Sequence, residues 1–232
     1  MNLSGLEVHL LNSAYNLISN NKDTFSFINY EFSKFYKGEL DYRFYFAPSS
    51  RSKIAFRFAT GFVKPFGTSS SIPYIKQFYV GGPQSIRAWN IREIGPGGLN
   101  LADSSINQTF FAAGDFKLEA SLEYRFDIYW RFKGALFLDA GNIWLLPNRL
   151  TDDPSGRLGK NFLKEIAVGT GIGLRLDLTY FLFRVDYGFK LRNNYPDKDG
   201  KYWLYGPGKE NGAVSVNQLF KNSTLHLALD YP

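Results

Sequence analysis

The residues best suited to do chemistry in this sequence are one arginine and two carboxylates. Arg87 lies within a long glycine-rich stretch, whereas Glu123 and Asp139 occupy polar positions of two later segments that alternate between polar and apolar residues. Asp139 stands in the mainly apolar run from Ala135 to Ala140, where a carboxylate needs a cation. The planar guanidinium of arginine pairs with carboxylates through two hydrogen bonds, and partial burial strengthens such a pair. We therefore predict a noncovalent ion-pair cluster that ties a loop to two strands.

Covalent and metal chemistry have few suitable residues. The chain has no Cys and two His residues, His9 and His226, so neither a disulfide nor a zinc cluster is predicted. A small barrel lipase or acyltransferase would need a His close to a Ser and an acid. His226 falls on the same face of its segment as Asp230, and His9 has only scattered serines. We expect no enzyme activity, no metal and no cofactor.

The basic residues do not form a patch for nucleic acid. The net charge is +6, but Lys and Arg are scattered through the alternating segments, and no basic block or RNA-binding motif stands out. We predict that nucleic acid is not a partner.

Alternation of apolar and polar residues is the main structural signal, and it is clearest from Phe116 to Asp127. Successive side chains of a β-strand point to opposite sides of the sheet, so the two sets form two faces. The apolar set, which suits lipid, is Phe116, Leu118, Ala120, Leu122, Tyr124 and Phe126. The other set, which suits water, is Lys117, Glu119, Ser121, Glu123, Arg125 and Asp127.

The same alternation recurs along the chain and predicts about eight antiparallel strands. The strong segments are residues 38–46, 53–62, 116–127, 131–144, 165–178, 181–192 and 224–231. Weaker strands fall around 3–11 and around 25–35, and the count of eight treats 25–35 as continuous with the strand that ends at Phe46. Short turns at 47–52, 127–130 and 179–180 alternate with long connections at 67–113, 145–163 and 193–222. Because outer-membrane barrels have short periplasmic turns and long external loops, we predict that the long connections face outward.

The composition favours a transmembrane barrel over a soluble one. Aromatic residues make up 18% and charged residues 21% of the chain, a balance typical of a barrel with an apolar lipid face, a polar lumen and aromatic girdles. A soluble antiparallel barrel or sandwich is the alternative, but large apolar residues along one face of so many strands would overfill its interior. We predict one domain over residues 1–232, all-β, with the fold of a transmembrane antiparallel up-and-down β-barrel.

The connection at 67–113 contains the most unusual stretch, SIPYIKQFYVGGPQSIRAWNIREIGPGG at residues 71–98. It resembles the motif region of the BamA/TamA superfamily, also called the bacterial surface antigen family. In that family a glycine pair leads into a V/I-R-G-F/Y-like tetrapeptide within an extracellular loop that folds back into the barrel. The matching residues are Gly81, Gly82, Ile86, Arg87, Ala88, Trp89, Gly95, Pro96 and Gly97, with Ala88 in place of the commoner Gly.

Three further stretches look like the strands that follow this loop in the same family: GDFKLEASLEYRF, GALFLDAGNIW and VGTGIGLRLDL. The residue sequence of the motif region looks most like that of the TamA-like branch from Bacteroidota. The resemblance implies that Arg87 contacts Glu123 and Asp139 from inside the barrel. It also implies a sixteen-strand barrel with periplasmic POTRA domains. This chain would then be the carboxy-terminal half of the barrel, although a stand-alone barrel of eight strands is geometrically allowed.

The resemblance further implies a function in assembling and inserting outer-membrane proteins. A weak seam between the first and last strands would open sideways, and its exposed edge would template incoming strands. The last strand would contribute Leu225, Leu227, Leu229 and Tyr231 to this seam. The implied partners are the outer-membrane lipid bilayer, unfolded outer-membrane protein clients, and inner-membrane or lipoprotein accessory subunits.

Two other functions remain open at the level of sequence. A pore of the two-partner-secretion type, which passes an unfolded polypeptide, shares the loop motif. A passive porin-like channel is also compatible with alternation alone, and the motif would then be a constriction loop.

Overall fold

The computed structural model describes residues 7–8, 34–67, 72–101, 112–147, 154–178, 180–205 and 220–230. They form one eight-stranded antiparallel sheet in which the strands follow each other in chain order. The strands are β1 (Glu7–Val8), β2 (Phe35–Ser49), β3 (Ser52–Pro65), β4 (Phe116–Tyr129), β5 (Phe132–Trp144), β6 (Ala167–Asp177), β7 (Leu182–Arg192) and β8 (Ser223–Asp230). The prediction of an all-β, up-and-down antiparallel fold is therefore confirmed.

The sheet is open in the part of the chain that the structure describes. β1 pairs with β2 and β8 pairs with β7, and no pairing joins β1 to β8. The predicted weak strand at 3–11 is represented by the two residues of β1, and the one at 25–35 lies outside the described residues except for its end, where β2 begins.

β2, β3 and β4 run further than the alternation predicted, whereas β5, β6 and β7 are one to three residues shorter. β2 covers Phe35–Ser49, where 38–46 was expected, and β4 continues to Tyr129. The turn between β4 and β5 is correspondingly tight, and Trp130 within it has a φ of 52°, in the left-handed region. Three short 3-10 helices lie in the connections, at Tyr74–Lys76, Pro154–Gly156 and Phe162–Glu165.

None of the helices among the described residues has both the length and the apolar character to cross a membrane.

The two faces of the sheet differ as the alternation requires. On β4, Leu122 is 46% exposed and Tyr124 is also exposed, whereas Glu123 between them is buried. β8 repeats this pattern, with Leu227 73% exposed. The outer face is therefore apolar and exposed, and the polar side chains point to the inner face.

The buried apolar core lies between the inner face and the connection from β3 to β4. Residues 72–101 and 112–115 of that connection fold back over the sheet, and Phe78 pairs with Gly114 in an isolated antiparallel bridge. One buried apolar cluster combines loop and strand residues: Phe35, Val63, Ile72, Phe78, Val80, Ile86, Ala88, Trp89, Ile94, Ile143 and Ala167. The hydrophobic effect thus holds this long connection against the sheet.

Candidate functional site

A tight turn presents the tip of the β3–β4 connection to the inner face. Gly81 and Gly82 have φ values of 97° and 94°, which favour glycine. A Cβ on Gly81 would lie 2.2 Å from the backbone oxygen of Asn90, so no side chain fits there. The backbone N–H of Gly82 donates to the oxygen of Trp89 at 2.8 Å and closes the turn. Ile86, Arg87, Ala88 and Trp89 lie inside this closed turn, and all four are buried.

Arg87 projects from this tip into the inner wall and meets both carboxylates. Its Nε and Nη2 donate to Asp139 Oδ2 and Oδ1 at 2.8 and 2.9 Å, and its backbone N–H donates to the same Oδ2 at 3.1 Å. Its Nη1 donates to Glu123 Oε2. The three side chains are at most 8% exposed, so the ion pairs are shielded from water.

Two further residues complete the surroundings of this arginine. The Ser121 hydroxyl donates to Asp139 Oδ1 at 2.6 Å, and the guanidinium carbon of Arg87 lies 3.7 Å from the centre of the Phe137 ring. Burial alone would lower the pKa of Arg87, but the carboxylates of Asp139 and Glu123 outweigh burial and raise that pKa above its ordinary value. The arginine therefore stays charged. The cluster acts as a structural anchor and not as a proton donor or acceptor.

Glycines in the wall let the tip approach the strands closely. A Cβ on Gly188 of β7 would lie 2.5 Å from the backbone oxygen of Arg87 and 2.8 Å from Cα of Ala88. A Cβ on Gly169 of β6 would lie 2.5 Å from Cβ of Ala88. Ala88 stands where the resembled family more often has Gly. The wall accommodates its methyl group because Gly169 and Gly188 have no side chains.

The second part of the motif docks at the long-loop end of the strands. The backbone N–H of Gly97 donates to the oxygen of Ile143 at 2.7 Å, and Pro96 forms a parallel bridge with Ile143. The oxygen of Gly97 accepts hydrogen bonds from the side-chain amides of Asn142 and Asn194, at 2.9 and 2.8 Å. Pro96 and Gly97 therefore hold the loop to β5 at a second point, separate from Arg87.

We predict that Asn142→Leu destabilises the protein by about 1–3 kcal/mol. Asn142 is fully buried and also donates to the oxygen of Glu165 at 2.6 Å. Its loss leaves the half-buried carbonyl of Glu165 without this donor and removes one of the two donors to the buried carbonyl of Gly97. Urea titration followed by heat-modifiable gel mobility measures the change. The matched control is Asn193→Leu, at a partly exposed asparagine, and equal destabilisation by the two variants would contradict the prediction.

The loop tip also contacts the last described strand. The Thr224 hydroxyl donates to the backbone oxygen of Ala88 at 3.0 Å, and His226 Nε2 lies 3.2 Å from the oxygen of Trp89. The predicted seam residues Leu225, Leu227 and Leu229 are on the opposite, exposed face of β8, and Tyr231 lies outside the described residues.

Sequence reasoning missed several of these positions. Ser121 and His226 were given positions on the polar face but no partner, and Thr224, Gly169 and Gly188 were not singled out. The available signal was glycine repeated at inner-face positions of two successive strands, which indicates close approach of another segment.

Comparison with known proteins places this geometry in a family. The sequence profile described as the Omp85 superfamily domain matches residues 18–210. The chain belongs to the Omp85 superfamily. The predicted membership of the BamA/TamA family and the outer-membrane location are thereby confirmed, whereas the Bacteroidota branch stays a prediction.

Two solved structures show what this Omp85 chain is similar to. BamA from Haemophilus ducreyi lacking POTRA domains 1–3 is 18% identical, with a TM-score of 0.52 over 73% of this chain and 33% of that one. CdiB from Acinetobacter baumannii is 14% identical, with a TM-score of 0.42 over 74% of this chain and 25% of that one. The likeness to BamA shows the fold, and the Omp85 chain spans about a third of that protein's length. No curated protein matches the chain.

Proposed function

We propose that this chain is the part of an outer-membrane barrel that carries its inner anchor and one side of its seam, and that the barrel assembles other outer-membrane proteins. The proposal needs no covalent chemistry. Membership of the Omp85 superfamily supports it. The observation that carries it is the double attachment of the loop tip, which binds β4 and β5 through Arg87 and touches β8 through the carbonyls of Ala88 and Trp89.

The proposed mechanism uses the backbone of β8 as a template. A terminal strand presents unpaired N–H and C=O groups, and an incoming strand can add to them by β-augmentation. Within the described residues β8 pairs with β7 alone, so its other edge is the one that a client strand would use. The loop tip would stabilise the inner side of β8 while its edge is open.

Capture of a client at this edge is the test. This chain contains no native Cys, so a cysteine at Leu227, 73% exposed on β8, is the one thiol that this part of the protein would contribute. In the full-length protein in membranes, we expect Leu227→Cys to form disulfides with cysteines placed in the strands of an unfolded barrel client. The matched control is Leu136→Cys, 50% exposed on β5, whose backbone is paired on both sides.

Two outcomes would count against the proposal. Equal capture at Leu136 and Leu227, or capture at neither, would mean that β8 is not a template. Capture of a secreted polypeptide by inner-face residues alone would instead favour a two-partner-secretion-type pore. Large and steady conductance in planar bilayers, without client capture, would favour a porin-like channel.

A further inference from the structure

A cavity of about 400 Å³ lies on the inner face, between the loop tip and the short-turn ends of the strands. Pro83, Gln84 and Ser85 of the tip form one side of it. Glu123 is the one carboxylate among the lining residues. Six arginines, one from the tip and one from each of five strands, also line the cavity: Arg43, Arg57, Arg87, Arg125, Arg175 and Arg184. A cavity of this size can enclose part of a polar ligand.

The charges around the cavity are nearly balanced. The six arginines form ion pairs with five carboxylates, those of Asp41, Glu119, Glu123, Asp139 and Asp186, so one positive charge remains. Net charge alone therefore gives the cavity only a weak preference for anions. The stronger argument for anion binding is the hydrogen-bonding capacity of individual guanidinium groups.

Two of these arginines have terminal nitrogens that form no hydrogen bond within the described part of the chain. Arg125, whose side chain is 42% exposed, donates through Nε to Glu123 at 2.5 Å, and within the described part of the chain its two terminal nitrogens form no hydrogen bond. Arg175 is 97% buried, and its terminal nitrogens lie 3.0 and 3.1 Å from Glu123 and Asp186 without hydrogen-bond geometry. Buried donors without a bond are unfavourable, and an anion in the cavity would satisfy them.

We propose that this cavity binds the carboxylates of an acidic polypeptide segment, an inference that rests on the proposed function and names a chemical feature of its clients. Guanidinium forks match carboxylates geometrically. The five strand arginines stand at inner-face positions and Arg87 reaches the wall from inside, whereas lipid lies against the opposite, apolar face. A polypeptide entering the lumen reaches the cavity without crossing the wall, which a lipid headgroup cannot do.

The experiment measures fluorescence anisotropy of a labelled short peptide rich in Asp and Glu, added to the full-length protein in detergent. We expect it to bind about tenfold more tightly than the same peptide with Asn and Gln. Arg125→Gln and, separately, Arg43→Gln should each weaken binding of the acidic peptide severalfold. Lys160→Gln, at an exposed lysine of the β5–β6 connection, is the matched control and should bind like the native protein.

Equal affinity for the acidic and amide peptides would overturn the proposal, as would native affinity in both arginine variants. Binding of inorganic phosphate, with no binding of the acidic peptide, would overturn it in favour of a phosphate site. The two proposals fail separately. A protein that binds the acidic peptide but captures no client at Leu227→Cys contradicts the proposed function alone, and client capture without peptide binding contradicts this inference alone.

Discussion

Replacing Arg87 with glutamate is expected to remove most of the stability of the anchored loop, by about 3–5 kcal/mol. The substitution would bring three carboxylates together in a site where Asp139 is 1% exposed, and the four hydrogen bonds to Asp139 and Glu123 would be reduced to the one from the backbone N–H. We expect the variant to lose heat-modifiable mobility and to fail to support growth when the native protein is depleted. Arg51→Glu, in the exposed turn between β2 and β3, is the control and should behave like the native protein.

Charge reversal of the partner carboxylates tests whether the Arg87→Glu defect comes from loss of the ion pair or from general disruption of the fold. Asp139→Arg should partly restore the Arg87→Glu protein, because in the native protein Arg87 is the only cation that forms a salt bridge with Asp139 among the described residues. Glu123→Arg should restore less, since Glu123 also pairs with Arg125 and Arg175 and its replacement would leave arginines facing each other. If Arg87→Glu grows and migrates as the native protein does, the anchor has no function.

Replacing Gly188 with valine is expected to push the loop tip off the wall without disrupting the strand. Valine favours β-strands, but its Cβ would lie 2.5–2.9 Å from backbone atoms of Arg87 and Ala88, which cannot move as a flexible side chain can. We expect the free energy of unfolding to fall by about 1–3 kcal/mol and trypsin to cleave faster after Lys76 and Arg92, the partly exposed basic residues of the described loop.

Gly134→Val is the matched control for this effect. It introduces the same side chain into β5, where the Cβ would meet the ring of Phe126 on the outer face instead of backbone. That ring can rotate into lipid. Trypsin sensitivity that rises equally in both variants would mean that the close contact at Gly188 does not hold the tip.

The alternation of residue types was sufficient to predict the strands and their two faces. Leu122, Glu123 and Tyr124 illustrate this, because neighbouring strand residues must point to opposite sides whatever the rest of the chain does. The ends of the strands were less predictable. β2 and β4 extend beyond the alternating segments because their neighbours continue to offer hydrogen bonds, a property of the pair of strands and not of either one.

The candidate site was also predicted only in part from the sequence. Arg87, Glu123 and Asp139 were selected on residue type, on position and on resemblance to a family, and the structure brings them together. Nothing in the sequence indicated that Glu123 is shared with Arg125 and Arg175, because sharing depends on how β4 and β6 align across β5. The cavity lined by arginines depends on that alignment and on the position of the loop tip.

The sequence by itself determined that this protein is an alternating β-sheet with an apolar outer face and an anchored loop of the Omp85 kind. The tertiary structure decided where the loop goes. Ala88 meets Thr224 across 136 residues of chain, and Arg87 meets Asp139 across 52. A period of two residues specifies only which side of a sheet a residue faces, whereas these contacts depend on strand register, on glycines that leave room in the wall, and on the burial of a loop that has no period of its own.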